Sequence, residues 1–111
     1  NPLEALAKSR EGLLILLAMV TLAGGVREEL QRAFLLDRFR RDLGGPATGL
    51  LVTTVGFGIG HLLQGWDAVI VTGLLGLMWG IVYLRRGSTI APMVSHALAN
   101  AAQVVVAHVR P

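Results

Sequence analysis

Long uncharged stretches dominate the chain. Residues 43–66, 68–84 and 87–109 contain no Asp, Glu, Lys or Arg. A helix that crosses a bilayer needs about 20 mostly apolar residues, within a range of roughly 17 to 25. Inside lipid, each helix must satisfy its own backbone polar groups. The three stretches therefore predict three membrane-spanning helices.

The first apolar stretch differs because it is short and runs directly into charge. Residues 12–26 number 15, fewer than a full span, and the charged residues 27–29 follow at once. We predict a largely helical path through this region with a bend at Gly24 and Gly25, since glycine weakens a helix.

Glycine, proline and charge mark the connections between the helices. Gly45 and Pro46 end one helix and begin the next. Residues 64–67 form a tight turn, and Ser88 is a candidate N-cap for the last helix. The chain is thus predicted to be an all-α, multi-pass transmembrane bundle of four to five helices, forming a single domain over residues 1–111.

Composition supports lipid as the solvent. Hydrophobic residues make up 53% of the chain and charged residues 15%, whereas soluble domains carry roughly 25% charged residues. The net charge is +3, but the cations lie in short patches between apolar stretches, which fits membrane topology better than a nucleic-acid-binding face. The absence of cysteine excludes disulfides and thiolate metal sites.

The arginine distribution predicts an orientation in the membrane. Residues 38–41 and 85–86 are Arg-rich and two predicted crossings apart, whereas residues 64–67 contain no Lys or Arg. By the positive-inside rule the Arg-rich loops face the cytoplasm. We expect an integral protein of a bacterial plasma membrane, surrounded by the lipid bilayer and without a nucleic-acid partner.

A few ionisable or amide side chains interrupt the apolar pattern, and such residues within membrane helices are functional candidates. They form pairs at helical spacing, three or four residues apart, so that each pair shares one helix face. The alternatives to a functional role are a solvated helix face, a histidine packed in the interior and polar contacts between helices. The candidates are Glu28, Glu29, Arg32, His61, His96 and Asn100.

Two carboxylates and two imidazoles in a dry site suit peptide hydrolysis. A carboxylate near a histidine can deprotonate water, and a second imidazole with an amide can stabilise the oxyanion. Glu28, His61 and His96 could equally bind zinc, because Glu and His are common zinc ligands. Residue types alone leave open whether a metal or a glutamate activates the water.

Three short motifs carry a family resemblance. The pair Glu28 and Glu29 precedes Arg32, Phe57 lies four residues before His61, and the last helix contains His-x-x-x-Asn. In this order they resemble the CPBP family, which comprises the CAAX prenyl endopeptidases and bacteriocin-processing enzymes and is also called the ABI family. The resemblance covers residues 24–103.

The resemblance implies an intramembrane CAAX-type endopeptidase, either glutamate-dependent or a metalloprotease, acting on a peptide or membrane-anchored protein. A glutamate and His61 would activate water, His96 and Asn100 would form the oxyanion site, and Arg32 would pair with a glutamate. The chain begins at Asn1 rather than Met, so we expect it to be the catalytic core of a longer protein with flanking helices.

The chain departs from the family pattern at the glutamates. The family's first glutamate lies five residues before the arginine, and that position here is Arg27. Either Glu28 is the second family glutamate, or Glu28 and Glu29 are the pair, with one residue fewer before Arg32. Which glutamate is the base therefore stays open.

Two functions of other classes compete with proteolysis. One is a non-catalytic immunity or scaffold protein of the membrane, for which the polar residues would be only packing contacts. The other is a proton- or ion-coupled transporter that uses a Glu/His relay. No inverted repeat of the kind found in many transporters is present in the sequence, and the combined motifs favour the protease.

Overall fold

The computed structural model describes residues 2–111, and this part of the chain is helical with no strand. A π-helical segment, Val20–Glu28, connects α2 to α3, and a 3₁₀ turn, Leu62–Gln64, precedes α5. The all-α bundle predicted from the sequence is confirmed. The α-helices are α1 (Pro2–Ala7), α2 (Arg10–Met19), α3 (Glu29–Asp42), α4 (Pro46–Ile59), α5 (Trp66–Arg86) and α6 (Ile90–Val109).

Two of these helices, α5 and α6, are long and apolar enough to cross a membrane by length and composition. The helix predicted over residues 43–66 is shorter than expected, because α4 spans only 14 residues. At 1.5 Å per residue that is about 21 Å, less than the roughly 30 Å of a bilayer core. The glycines at the end of α4 explain the early stop, since glycine is a poor helix former.

The chain divides into two compact units. The terminal unit contains the residues up to Glu29 together with Met93–Pro111, and the central unit contains Leu30–Pro92. The terminal unit thus includes α2, the π-helical segment and most of α6. The central unit includes α4, α5 and all of α3 except its first residue.

Small residues let α4 and α5 approach closely in the central unit. A Cβ built on Gly58 would lie 2.8 Å from the carbonyl oxygen of Val69 and 3.3 Å from the Cα of Gly73. Near the other end of α4, a Cβ on Gly80 of α5 would lie 2.9 Å from a methyl group of Leu50. The two helices therefore run antiparallel, and glycine permits the backbone contact between them, as is common in membrane bundles.

Replacing Gly58 with alanine tests this contact, and Gly56 provides the control two residues away. Gly58→Ala is expected to destabilise the protein by about 1–3 kcal/mol, because the new methyl group meets backbone rather than a movable side chain. A Cβ on Gly56 has nothing within 4 Å, so Gly56→Ala should leave the stability unchanged or slightly higher. Thermal unfolding in detergent measures both; equal melting temperatures for the two variants would contradict the close contact.

Within the terminal unit, the π-helical segment packs on α6 through a glycine. A Cβ on Gly25 would lie 2.6 Å from the Cβ of Ala97 and 3.0 Å from the carbonyl oxygen of Met93. The helical path predicted through this region is confirmed, since α2, the π-helical segment and α3 follow one another without a break. The bend predicted at Gly24 and Gly25 stays a prediction; the structure shows a change of helix type, with both glycines inside the π-helical segment.

The two ends of the terminal unit are also joined. The Nδ1 atom of His108, near the end of α6, lies 2.6 Å from the carbonyl oxygen of Ala7. The ammonium group of Lys8 donates a hydrogen bond to the carbonyl oxygen of Arg110. These contacts connect the end of α1 to the end of α6.

Candidate active site

A buried contact between a glutamate and a histidine lies within the terminal unit. The Oε1 atom of Glu29, the first residue of α3, is 2.6 Å from Nδ1 of His96 in α6. Only 2% of Glu29 and 3% of His96 is exposed. When Glu29 is ionised, its carboxylate only accepts hydrogen bonds, and Nδ1 of His96 is then the donor. The contact fixes the ring and directs Nε2 away from Glu29.

Glu28 faces the other nitrogen of the same ring. Its Oε2 atom is 3.6 Å from Nε2 of His96, and 26% of the Glu28 side chain is exposed. This distance is too long for a direct hydrogen bond and leaves Glu28 accessible to water. The two adjacent glutamates therefore have different environments, one buried and hydrogen-bonded to the ring and the other partly open.

Asn100 lies one helical turn after His96. A Cβ on Gly24 would lie 2.5 Å from the amide nitrogen of Asn100 and 3.7 Å from Nε2 of His96. Any larger residue at position 24 would displace the amide, so glycine is needed here for the site as well as for packing. The terminal unit thus gathers four of the six predicted residues, namely Glu28, Glu29, His96 and Asn100.

Arg32 lies in the central unit among aromatic rings. Its guanidinium carbon is 4.4 Å from the ring centroid of Phe57 and 5.7 Å from that of Trp79. Only 4% of Arg32 is exposed, and a desolvated cation over aromatic faces is stabilised by the ring quadrupoles. Gly76 leaves room for this group, because a Cβ there would lie 3.2 Å from Nη2. The predicted pairing of Arg32 with a glutamate stays a prediction.

His61 also lies in the central unit, but not where the sequence placed it. The sequence predicted that Phe57 and His61 share one helix, whereas α4 ends at Ile59 and His61 follows in the turn. Its Nδ1 atom is 2.8 Å from the carbonyl oxygen of Phe57, and the two rings meet edge to face at 4.9 Å. Because a carbonyl oxygen only accepts, Nδ1 donates and Nε2 of the neutral ring keeps its lone pair. The catalytic role of His61 stays a prediction.

Sequence reasoning missed three residues around these side chains. It gave no site role to Trp79, which is 2% exposed and contacts the Arg32 guanidinium. It gave no site role to Gly24 or Gly76. The spacing of Gly76 and Gly80, four residues apart, indicates close helix contact. Nothing in the sequence pattern indicated that Arg32 would lie against these glycines.

The described residues contain few groups that could hold a metal ion together. Within residues 2–111, no group of three or more His, Cys, Asp or Glu side chains is arranged to hold a metal ion. Glu28 and His96 Nε2 alone would supply two ligands, fewer than the three protein ligands typical of catalytic zinc. The expected zinc ligands Glu28, His61 and His96 therefore stay a prediction, and no step proposed below uses a metal.

The fold and the site together define a class: an all-helical membrane protein with two carboxylates arranged around one buried histidine. The family model for the type II CAAX prenyl endopeptidases, Rce1-like, matches residues 10–102. The chain belongs to this family of CAAX-type intramembrane proteases, which confirms the resemblance seen in the sequence motifs. Neither the curated proteins nor the solved structures gave a match.

Proposed function

We propose that the chain hydrolyses a peptide bond at the membrane and that a glutamate, rather than a metal, activates the water. The observation that carries this proposal is the arrangement around His96. Glu29 is 2.6 Å from Nδ1, while the partly exposed Glu28 is 3.6 Å from Nε2. One carboxylate thus orients the ring, and the other is free to act on water.

In the proposed reaction Glu28 is the general base. A water molecule beside its Oε2 gives a proton to the carboxylate, and the resulting hydroxide attacks the carbonyl carbon of the scissile bond. Glu28, now protonated, gives that proton to the leaving amine as the carbon–nitrogen bond breaks. The products are a new carboxyl terminus and a new amino terminus, and Glu28 returns to its ionised form.

Glu29, His96 and Asn100 would stabilise the oxyanion of the tetrahedral intermediate. In the proposed scheme His96 acts in its imidazolium form, in which both ring nitrogens donate, Nδ1 to the carboxylate of Glu29. Nε2–H and the Asn100 amide would then donate hydrogen bonds to the developing negative charge. Glu29 is a positioning residue in this scheme, because it acts through the ring of His96.

The family pattern supplies two further proposed roles, for His61 and Arg32. Nε2 of His61 has a lone pair when the ring is neutral, so it is suited to accept a hydrogen bond from the attacking water. Arg32 lies against Phe57 and Trp79, and the family pattern gives it the role of pairing with a glutamate. Both roles rest on the family pattern.

The substrate and the topology are also part of the proposal. The family name and the two apolar helices support a membrane-anchored peptide or protein as the substrate, such as a chain with a prenylated C-terminus. The Arg-rich loops support a multi-pass topology with those loops in the cytoplasm. A bacterial plasma membrane fits the Arg-, Gly- and Ala-rich composition.

A chelator test separates the glutamate mechanism from the metalloprotease. Purified protein in liposomes is incubated with a farnesylated CAAX peptide and with a library of unmodified peptides, and new termini are identified by mass spectrometry. We expect cleavage at the same rate with and without 1,10-phenanthroline, because no metal participates. Loss of cleavage that added zinc restores would contradict the glutamate mechanism. Absence of cleavage of every peptide would instead favour a non-catalytic membrane protein.

A further inference from the structure

Five arginines lie at one end of the central unit, although they come from two segments more than forty residues apart. We infer that this arginine cluster, defined as Arg38, Arg40, Arg41, Arg85 and Arg86, binds the headgroups of anionic phospholipids. The inference concerns the contacts of the protein with membrane lipids, and it does not depend on the proposed hydrolysis of a peptide bond.

The packing of the helices brings the two arginine segments to the same end. The connection from α3 to α4 is only three residues long, and the backbone N–H of Gly45 donates to the carbonyl oxygen of Phe39 at 2.8 Å. The end of α3 therefore lies beside the start of α4. Because α4 and α5 run antiparallel, with Leu50 next to Gly80, the end of α5 lies there too.

The cluster has more positive charge than its acidic neighbours offset. Asp37 accepts a hydrogen bond from Arg40 at 2.6 Å and another from Arg41. The hydrogen bond from Arg40 is the largest of the effects that lower the pKa of the Asp37 carboxyl. Asp42 lies 3.9 Å from Arg38.

Arg85 and Arg86 make no ion pair within the described part of the chain. Both are exposed and follow directly after the apolar part of α5, the helix of spanning length. They are therefore the two guanidinium groups of the cluster that are most available to an external anion.

Exposed apolar side chains adjoin the arginines, which favours a lipid over a soluble anion. Phe34 is 65% exposed, Leu43 52% and Ile90 69%. Each of these apolar residues lies two to four positions along the chain from an exposed arginine of the cluster, and such neighbouring apolar and cationic side chains match the boundary between acyl chains and phosphates. Guanidinium groups bind phosphate oxygens through paired hydrogen bonds, and basic residues beside a spanning helix attract anionic lipids.

The test measures lipid selectivity directly. The protein is placed in neutral-detergent micelles with equal amounts of phosphatidylglycerol and phosphatidylcholine, and native mass spectrometry gives the ratio of the two retained lipids. We expect the wild type to retain mainly phosphatidylglycerol. Arg85→Gln/Arg86→Gln should lower this preference by roughly thirtyfold, about fivefold for each arginine. Arg85→Lys/Arg86→Lys should keep most of it, since the charge remains.

A matched control removes the same charge from the other unit. Arg10 and Arg110 are exposed and belong to the terminal unit, so Arg10→Gln/Arg110→Gln should retain the wild-type preference. An equal loss in this control would show a general effect of net charge and would overturn the inference. So would equal retention of both lipids by the wild type. Protection of the protein from thermal unfolding by glycerol 3-phosphate, to the same degree as by phosphatidylglycerol, would also overturn it, because a soluble phosphate would then suffice.

Discussion

Glu28→Gln is expected to reduce kcat/KM for peptide-bond cleavage by about 10²- to 10⁴-fold, the usual contribution of a general base. Glutamine has nearly the same shape as glutamate but cannot take a proton from water. Because Glu28 is partly exposed and 3.6 Å from the ring nitrogen that it faces, the change breaks no buried hydrogen bond. The melting temperature should therefore stay close to that of the wild type.

Arg27→Gln is the matched control for this prediction. Arg27 is exposed and adjoins Glu28 in the π-helical segment, so its replacement alters the local charge without removing the base. Cleavage by this variant should stay within a few-fold of the wild type. If Glu28→Gln cleaves at the wild-type rate while Glu29→Gln does not, the assignment of the base to Glu28 is wrong, and the buried carboxylate would take that role.

Glu29→Leu is expected to reduce stability by about 3–5 kcal/mol, because it leaves one member of a buried, hydrogen-bonded pair without its partner. The polar Nδ1 of His96 would then face an apolar side chain, and burial without a hydrogen bond is costly. Cleavage should also be lost, since the ring is no longer oriented. Unfolding in mixed detergent micelles measures the first effect, and the peptide assay measures the second.

The double variant Glu29→Leu/His96→Leu distinguishes a broken pair from a general packing defect. Removing both polar groups should recover most of the stability lost in the single variant, because a buried ion pair replaced by apolar side chains is often neutral. The variant should remain inactive. If the double variant instead loses as much stability as the two single variants combined, the two side chains are not coupled. The contact between Glu29 and His96 would then not hold the site together.

The sequence predicted the parts of the fold that depend on local chemistry. Gly45 followed by Pro46 marks a break between helices that the local sequence alone predicts. The uncharged stretches that became α5 and α6 were recognisable from the sequence as helices long and apolar enough to cross a membrane. The prediction over residues 43–66 was wrong about where the helix ends. An absence of charge does not show where glycine stops a helix, and α4 ends at Ile59, before His61.

The site was predicted as a set of residues but not as a geometry. Helical spacing placed His96 and Asn100 on one face of α6, and this was readable from the sequence. The sequence could not predict that Glu28 and Glu29 face the two nitrogens of a single ring, because adjacent residues of an α-helix point in different directions. The contact of Arg32 with Phe57 and Trp79 depends on how three helices pack, for which no local pattern exists.

The π-helical segment also limits how positions in α2 can be related to the glutamates. Helical wheels assume 3.6 residues per turn, whereas a π-helix bonds each residue to the fifth along the chain rather than the fourth. Nine residues of this geometry, Val20–Glu28, separate α2 from α3, so the angular phase of α2 is shifted relative to Glu28. A helical wheel extended from the glutamates back into α2 would therefore assign residues to the wrong side of that helix. The positions of α2 to be mutated should be chosen from the three-dimensional structure.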